Sequence, residues 1–195
     1  MANIVWPSDL CPRTFSLQFV PDVRRFTAPF GGSSIITDLA DDSWTAMFEV
    51  DSRSGATAAK LESLVNYLQG GIHTCEFGHI ARPLPRGILP ATALLNSSAS
   101  KGASVVLVNA GVGTTVKDGD FFEVGGLLLQ ASGDASDISG ILTIPIVNSL
   151  RYSITSGTVV TFNSPKIKWR LSNASSVSNL VGYSAPVSLS FIEDI

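Results

Sequence analysis

Charge is scarce in this sequence. Asp, Glu, Lys and Arg make up 15% of its 195 residues, against about 25% in an ordinary soluble domain. So little charge favours burying surface against partner subunits, with a compact β monomer as the alternative. The formal net charge is −3, and no basic patch or stripe of the kind a general nucleic-acid binder needs is visible. A protein that surrounds DNA without gripping it would have neutral or acidic walls, because Lys and Arg hold phosphates through counterion release. Cysteine is nearly absent: Cys11 and Cys75 are the two, which is no disulfide framework and leaves the redox compartment open. No apolar run approaches the roughly 18 residues of a membrane span. The opening MANIVWPSDL has neither a basic n-region nor a long apolar core, so no secretory signal is expected and folding in the cytoplasm of the producing cell is.

What is present reads as β-structure. Phe15, Leu17 and Phe19 alternate with Ser16 and Gln18, and Trp44, Ala46, Phe48 and Val50 alternate with Thr45, Met47, Glu49 and Asp51. Both are half-buried strand patterns, and Pro29, Gly31 and Gly32 between them are turn formers. From Thr57 to Gln69 the period changes. Leu61, Leu64, Val65 and Leu68 share one helical face, Thr57 is a candidate cap, and Gly70-Gly71 is a stop signal. Ile72 to Phe77 reads as a further strand, and Pro83, Pro85 and Gly87 mark a boundary.

Beyond it the composition shifts to Val, Ile, Gly, Ser and Asp. Candidate strands are Val105–Val108, Phe121–Val124, Leu127–Ala131, Ile141–Ile144 and Val159–Phe162, with Gly125-Gly126 as a hairpin signal. These short strands without a helix suggest a small barrel of the oligonucleotide-binding (OB) type. After Pro165 the first style resumes: Ile167, Trp169 and Leu171 alternate with Lys166, Lys168 and Arg170, and Val187, Leu189 and Phe191 with Ser188 and Ser190. Ser172 to Ser178 is polar and loop-like. The pattern predicts a mainly β protein: a β-sandwich with one α-helix from residues 1–87 and 166–195, and a small OB-like barrel inserted at 88–165. Two closing strands are too few to fold alone. Two sequential domains or one irregular sandwich are the alternatives.

No constellation points to chemistry. Val105–Val108 runs into Gly111-x-Gly113, but Val116 stands where a dinucleotide fingerprint has its third glycine. The turn Lys117-Asp118-Gly119-Asp120 follows where a helix N-terminus would hold the pyrophosphate. His73, Cys75 and His79 fall on one face of an extended strand, yet positions six apart lie roughly 20 Å from each other and cannot converge on one zinc. A buried cysteine and two surface histidines are the better expectation. Asp118, Asp120, Asp134 and Asp137 lack EF-hand spacing, and tight turns explain them better. Arg24-Arg25 suits either a phosphate or acidic partner surface, or a solvated edge. No G-x-S-x-G elbow is present, and no spacing singles out paired carboxylates. The sequence therefore assigns no catalytic, cofactor-binding or metal-binding residue, expects no cofactor, and predicts a protein that is not an enzyme.

The order of several segments carries a resemblance. They are WPSDLCPRTFSLQF, the Pro29-Phe30-Gly31-Gly32 turn, Trp44, YLQGG, HTCEFG, ARPLPRG, KDGDFFEVGGLLLQ, DASDISGILTIPI, Arg151, SPKIKWRLSN and GYSAPVSLSFIEDI. In this order they resemble the distal tail (baseplate hub) proteins of long-tailed bacteriophages over most of the chain. The pattern departs from that family at Ser33–Thr37, where a more polar stretch with a glutamine is usual, and Ile88–Ser104 finds no counterpart. The resemblance implies a tail-tube-like domain forming a homohexameric ring around the DNA channel, some relatives carrying an OB-like insertion outside it. Implied partners are further copies of the chain, the tail tube protein, the baseplate hub protein, and tail fibre or receptor-binding proteins. DNA would pass without sequence-specific binding, no membrane is involved, and the location would be the virion. A different reading is a carbohydrate- or receptor-binding β module using the barrel face and the aromatics Trp169 and Tyr183.

Overall fold

The computed structural model describes residues 2–27, 34–38, 42–51, 55–173, 179–180, 183–184 and 186–194. In chain order they form β1 (Asn3–Val5), β2 (Pro12–Val20), β3 (Val23–Thr27), β4 (Ser34–Asp38), β5 (Ser43–Val50), α1 (Gly55–Leu68), a 3-10 turn (Gln69–Gly71) and β6 (Thr74–Gly78). Next come β7 (Thr92–Leu95), β8 (Val105–Asn109), β9 (Thr115–Val116), β10 (Phe121–Val124), β11 (Leu127–Gln130), β12 (Ala135–Ser136), β13 (Ile141–Pro145) and β14 (Val159–Thr161). The last are β15 (Lys166–Leu171), β16 (Asn179–Leu180), β17 (Tyr183–Ser184) and β18 (Val187–Glu193). The protein is mainly β with one α-helix among the described residues, as the alternating patterns predict. The Pro29-Gly31-Gly32 turn and most of the Ser172–Ser178 loop lie outside the described residues. By contacts the chain divides into two compact units, Met1–Gln18 with Trp44–Pro83 and Ser164–Ile195, and Phe19–Ser43 with Leu84–Asn163.

The first unit is built on a six-stranded sheet in the order β1-β6-β15-β18-β5-β2. Its strands alternate as the sequence does. Ile167, Trp169 and Leu171 of β15 are buried while Lys166 and Lys168 are exposed, and Trp44, Ala46, Phe48 and Val50 are buried in β5. The register places these residues on one face: Trp169 opposes Cys75, Leu171 opposes Phe191, and Phe191 opposes Ala46. On that face Phe77 stacks on Trp169 (centroids 4.8 Å apart, 8° between planes), and Phe48 stacks on Phe191 at 5.2 Å. Trp6 meets Phe48 edge-on at 4.7 Å. Trp169 Nε1 donates to the Phe77 carbonyl at 2.8 Å, so the buried indole keeps a hydrogen bond.

The helix starts at Gly55, two residues before the expected Thr57 cap, and ends where Gly70 and Gly71 take positive φ. Its buried residues are Ala58, Leu61, Leu64, Val65 and Leu68, so the apolar stripe read from the sequence is the buried one. Arg170 Nη1 donates to the Gly71 carbonyl at 2.9 Å, fixing the closing turn against β15. β6 and β15 are neighbours, with Gly78 opposite Lys166. A Cβ at Gly78 would lie 1.9 Å from the Pro165 carbonyl, so only glycine fits there. Beside it Ser164 N donates to the Pro83 carbonyl at 2.6 Å. The chain thus leaves this sheet and re-enters it at adjacent points.

The second unit contains a six-stranded antiparallel sheet in the order β11-β10-β14-β7-β8-β13. Its end strands touch: Ala131 and Ile146 bridge, Ser132 N donates to the Pro145 carbonyl, and Val147 N to the Gln130 carbonyl, both at 2.9 Å. The sheet therefore curls around a core that includes Val106, Val108, Phe122, Leu142, Ile144 and Val160. Gly125 (φ 60°) and Gly126 (φ 90°) form the two-residue β10–β11 turn, the left-handed geometry that suits a type I′ hairpin. An OB barrel has five strands; this sheet has six. The added one, β7, is four residues of Thr, Ala and Leu, too short for its alternation to stand out in sequence.

Leu64 is 4% exposed. Leu64→Ala should lower unfolding stability by about 2–5 kcal/mol through the cavity it leaves. Urea titration of both proteins tests this, and a loss below about 0.5 kcal/mol would show that the stripe is not core.

Candidate assembly surface

The residues that invited catalytic or metal readings are occupied with holding the fold. After Gly111-x-Gly113 the chain enters the short strand β9 and not a helix, so no helix N-terminus faces the glycines. Cys75 is fully buried, and its thiol is pushed up to about 12, first by burial and then by the nearby Glu76 charge. It is an inert core residue. Of the two histidines expected at the surface, His79 is buried. His73 is half-buried, accepts the Ala2 N–H at Nδ1 (3.2 Å) and packs on Tyr67 at 5.0 Å. His79 is buried, accepts the Arg82 N–H at Nδ1 (2.9 Å) and lies 4.9 Å from the Phe15 ring. A histidine carries no burial signal of its own, so sequence favours the surface for both.

The aspartates are turn staples. Asp120 is buried, and its carboxylate accepts the backbone N–H groups of Arg86 (2.8 Å), Gly87 (3.0 Å) and Lys117 (2.9 Å). Asp137 accepts from Gly113 N (2.8 Å) and Gly140 N (3.0 Å). Asp134 accepts from Lys117 Nζ (2.8 Å) and Asp118 N (2.9 Å), which hold its carboxyl below the ordinary range. Carboxylates aimed at backbone donors in this way serve turn geometry, and no group of three or more potential metal ligands occurs among the described residues.

What remains is surface of an unusual kind. β3 and β4 form an antiparallel hairpin, Val23 opposite Asp38 through Thr27 opposite Ser34. Every residue of β3, and Ser34 to Thr37 of β4, is exposed. Phe26 (60%), Ile35 (66%) and Ile36 (60%) are among them, although these residue types usually lie inside. Arg24 and Arg25 sit on this arm, on opposite faces, because side chains alternate along a strand. The arm leaves directly from β2, which is the edge strand of the first unit's sheet. An edge strand of nine residues is a place where another chain can add to a sheet. The sequence marked Arg24-Arg25 but gave no hint of the arm, since a short mixed strand looks like a loop.

The sheet's second face is wet and mixed: Thr45, Met47 and Glu49 of β5, Ser188, Ser190 and Ile192 of β18, and the β15 cations. The curled sheet has the opposite character. The outward residues of β14, β7, β8 and β13 include Val159, Leu94, Val105, Leu107 and Thr143, with no charged side chain among them. Trp169, one of the two aromatics of the sugar-binding reading, is fully buried and presents no stacking surface; Tyr183's side chain lies outside the described residues.

No family model matches this chain, and no curated protein matches it in sequence.

Two outcomes follow for the staples and the buried histidine. Asp120→Ala leaves three buried-side N–H groups unpaired and should cost more than about 3 kcal/mol, each unsatisfied donor contributing roughly 1–3. Asp120→Asn, which keeps one acceptor oxygen, should cost less, and adding calcium should move the midpoint of neither. Thermal unfolding measures both. Burial and then the Arg82 charge lower the His79 pKa, so the folded state disfavours its protonation while the unfolded chain takes up a proton near about 6.5. Stability from this group is complete above that value and is lost as pH falls below it. The fall in unfolding free energy between about pH 7.5 and 5.5 should shrink in His79→Gln; an unchanged slope would assign the pH dependence elsewhere.

Proposed function

We propose that this protein is a non-enzymatic structural subunit of a phage tail, forming a homohexameric ring that joins the tail tube to the baseplate hub and its receptor-binding apparatus. The observation that carries the reading is the nine-residue edge strand β2 followed in the chain by the β3–β4 hairpin, whose described side chains are exposed and include Phe26, Ile35 and Ile36. A two-stranded hairpin is marginal in water, and apolar residues on both its faces favour a partner that covers it. A subunit whose neighbour-facing patches differ makes head-to-tail contacts, and these close into a ring when the rotation between neighbours divides a full turn. The tail assignment itself rests on the ordered segments from WPSDLCPRTFSLQF to GYSAPVSLSFIEDI. The scarcity of charge and the net charge of −3 suit a channel that lets DNA pass. In this reading residues 88–165 are an inserted module, in keeping with adjacent exit and re-entry points at Gly78 and Lys166. The protein is made in the host cytoplasm and resides in the virion. No described helix is long and apolar enough to cross a membrane.

Immunogold labelling and symmetry analysis of the particle decide between outcomes. The expected result is label at the tail tip with six copies around the axis. Label elsewhere on the particle, or any other stoichiometry, refutes the proposal.

A further inference from the structure

The three most exposed large hydrophobic residues of the described chain are Val112 (86%), Ile138 (78%) and Ile88 (71%). They are far apart in sequence but meet at one corner of the second unit. Thr115 N donates to the Ile88 carbonyl at 2.9 Å, and Ile88 N to Thr115 Oγ1 at 3.1 Å. On its other side Thr115 pairs with Ser136. The turns carrying Val112 and Ile138 are locked together: Asp137 accepts from Gly113 N and Gly140 N, while Ala110 N and Gly111 N both donate to the Gly140 carbonyl. Asp137 N donates to the Thr114 carbonyl at 3.1 Å, and Ile138 N to the Ile141 carbonyl at 2.9 Å. The result is a rigid apolar knob, which loses little conformational entropy on docking.

The knob has an acidic rim. Asp137 lies within its turns, and Asp134 and Asp118 lie at the other end of the β9–β12 pair, where Asp118 N donates to Asp134; against Lys117 these three carboxylates leave two negative charges, while the buried Asp120 is matched by Arg86. Lys117 is paired with Asp134, and Arg86 is held by Asp120 and the Asp118 carbonyl. The Asp118 carboxylate is exposed and has no partner among the described residues. A rim of this sign disfavours an anionic lipid surface and favours an apolar partner bearing cations. This chain contains such a surface. One face of the β3–β4 hairpin consists of Arg24, Phe26, Ile35 and Thr37, since Arg24 opposes Thr37 and Phe26 opposes Ile35. It carries exposed apolar side chains, one guanidinium and no carboxylate.

We propose that the Ile88–Val112–Ile138 knob of one copy docks on the Arg24–Phe26–Ile35 face of the hairpin of a second copy, with Arg24 directed at Asp118. Knob and hairpin are different patches, so the contact is head-to-tail and repeats around a ring or along a filament. Each contact is small and weak alone, and ring closure makes the set cooperative through effective concentration. The contact does not depend on the tail assignment; it requires only that copies of this chain meet.

Sedimentation equilibrium on the full chain tests it. The wild type should self-associate with a dissociation constant between about 1 μM and 1 mM. Val112→Asp, Ile138→Asp and Phe26→Asp, all at exposed positions, should weaken association roughly tenfold or more. Arg24→Asp and Asp118→Arg should each weaken it, and the double swap should restore it. A chain monomeric at about 1 mM, association indifferent to Val112→Asp, or a double swap no better than its parents overturns the proposal. So does Val112-dependent binding to phosphatidylserine vesicles by a chain that stays monomeric. Six-fold rings that form equally well with Val112→Asp would overturn this contact while leaving the ring itself standing.

Discussion

The stack of Trp169 on Phe77 is the contact on which the first unit depends. It joins neighbouring strands β15 and β6, whose residues lie 92 positions apart in sequence, and Trp169 Nε1 also bonds the Phe77 carbonyl. Around it Phe191, Phe48 and Trp6 meet Phe77 at 5.3, 5.6 and 6.1 Å. The segment after β1 and the strands β5, β6, β15 and β18 thus each contribute a ring to one cluster. Aromatic contacts of this geometry add about 0.5–1.5 kcal/mol each beyond the area they bury. Because the cluster pins β6 to β15, the chain between them must depart and return at the same place. The Gly78 approach to Pro165 and the Ser164–Pro83 hydrogen bond are consequences of that closure.

The second unit is held in a different way. Its core is aliphatic, with Val, Leu and Ile from six curled strands, and among them Phe122 meets Phe162 at 5.7 Å. Short strands leave many turn N–H groups to satisfy, and carboxylates and one amide do this work. Asp120 and Asp137 are the clearest cases, and Asn148, almost wholly buried, donates to the Leu128 carbonyl and accepts from Gln130 N. Between residues 84 and 163, most of the few charged residues (Arg86, Lys117, Asp118, Asp120, Asp134 and Asp137) lie in or against these turns. This leaves the outer faces of β14, β7, β8 and β13 uncharged and the knob apolar with an acidic rim. The surface character that suggests association is thus linked to how the turns are built.

The sequence by itself determined the elements with strong periodicity. Alternation in β5, β15 and β18 set which residues are buried, and the Leu61–Leu64–Val65–Leu68 stripe set the buried face of α1. These were legible because a half-buried strand or helix must repeat its apolar positions at a fixed period. Gly125-Gly126 fixed a hairpin for a local reason as well, since few other residues take positive φ twice in succession. Tertiary structure alone decided the rest. The hairpin β3–β4 has no buried face, so nothing in its residues marks it as ordered. β7 is recognisable only through its partners β14 and β8. His79 owes its burial to Phe15, a residue distant in the chain. Ile88, Val112 and Ile138 became one knob only when β9 brought Ser136 and Ile88 to either side of Thr115. Periodicity reports how a segment meets a surface; which distant segments supply that surface depends on strand order and closure, and these appear only once the chain has folded.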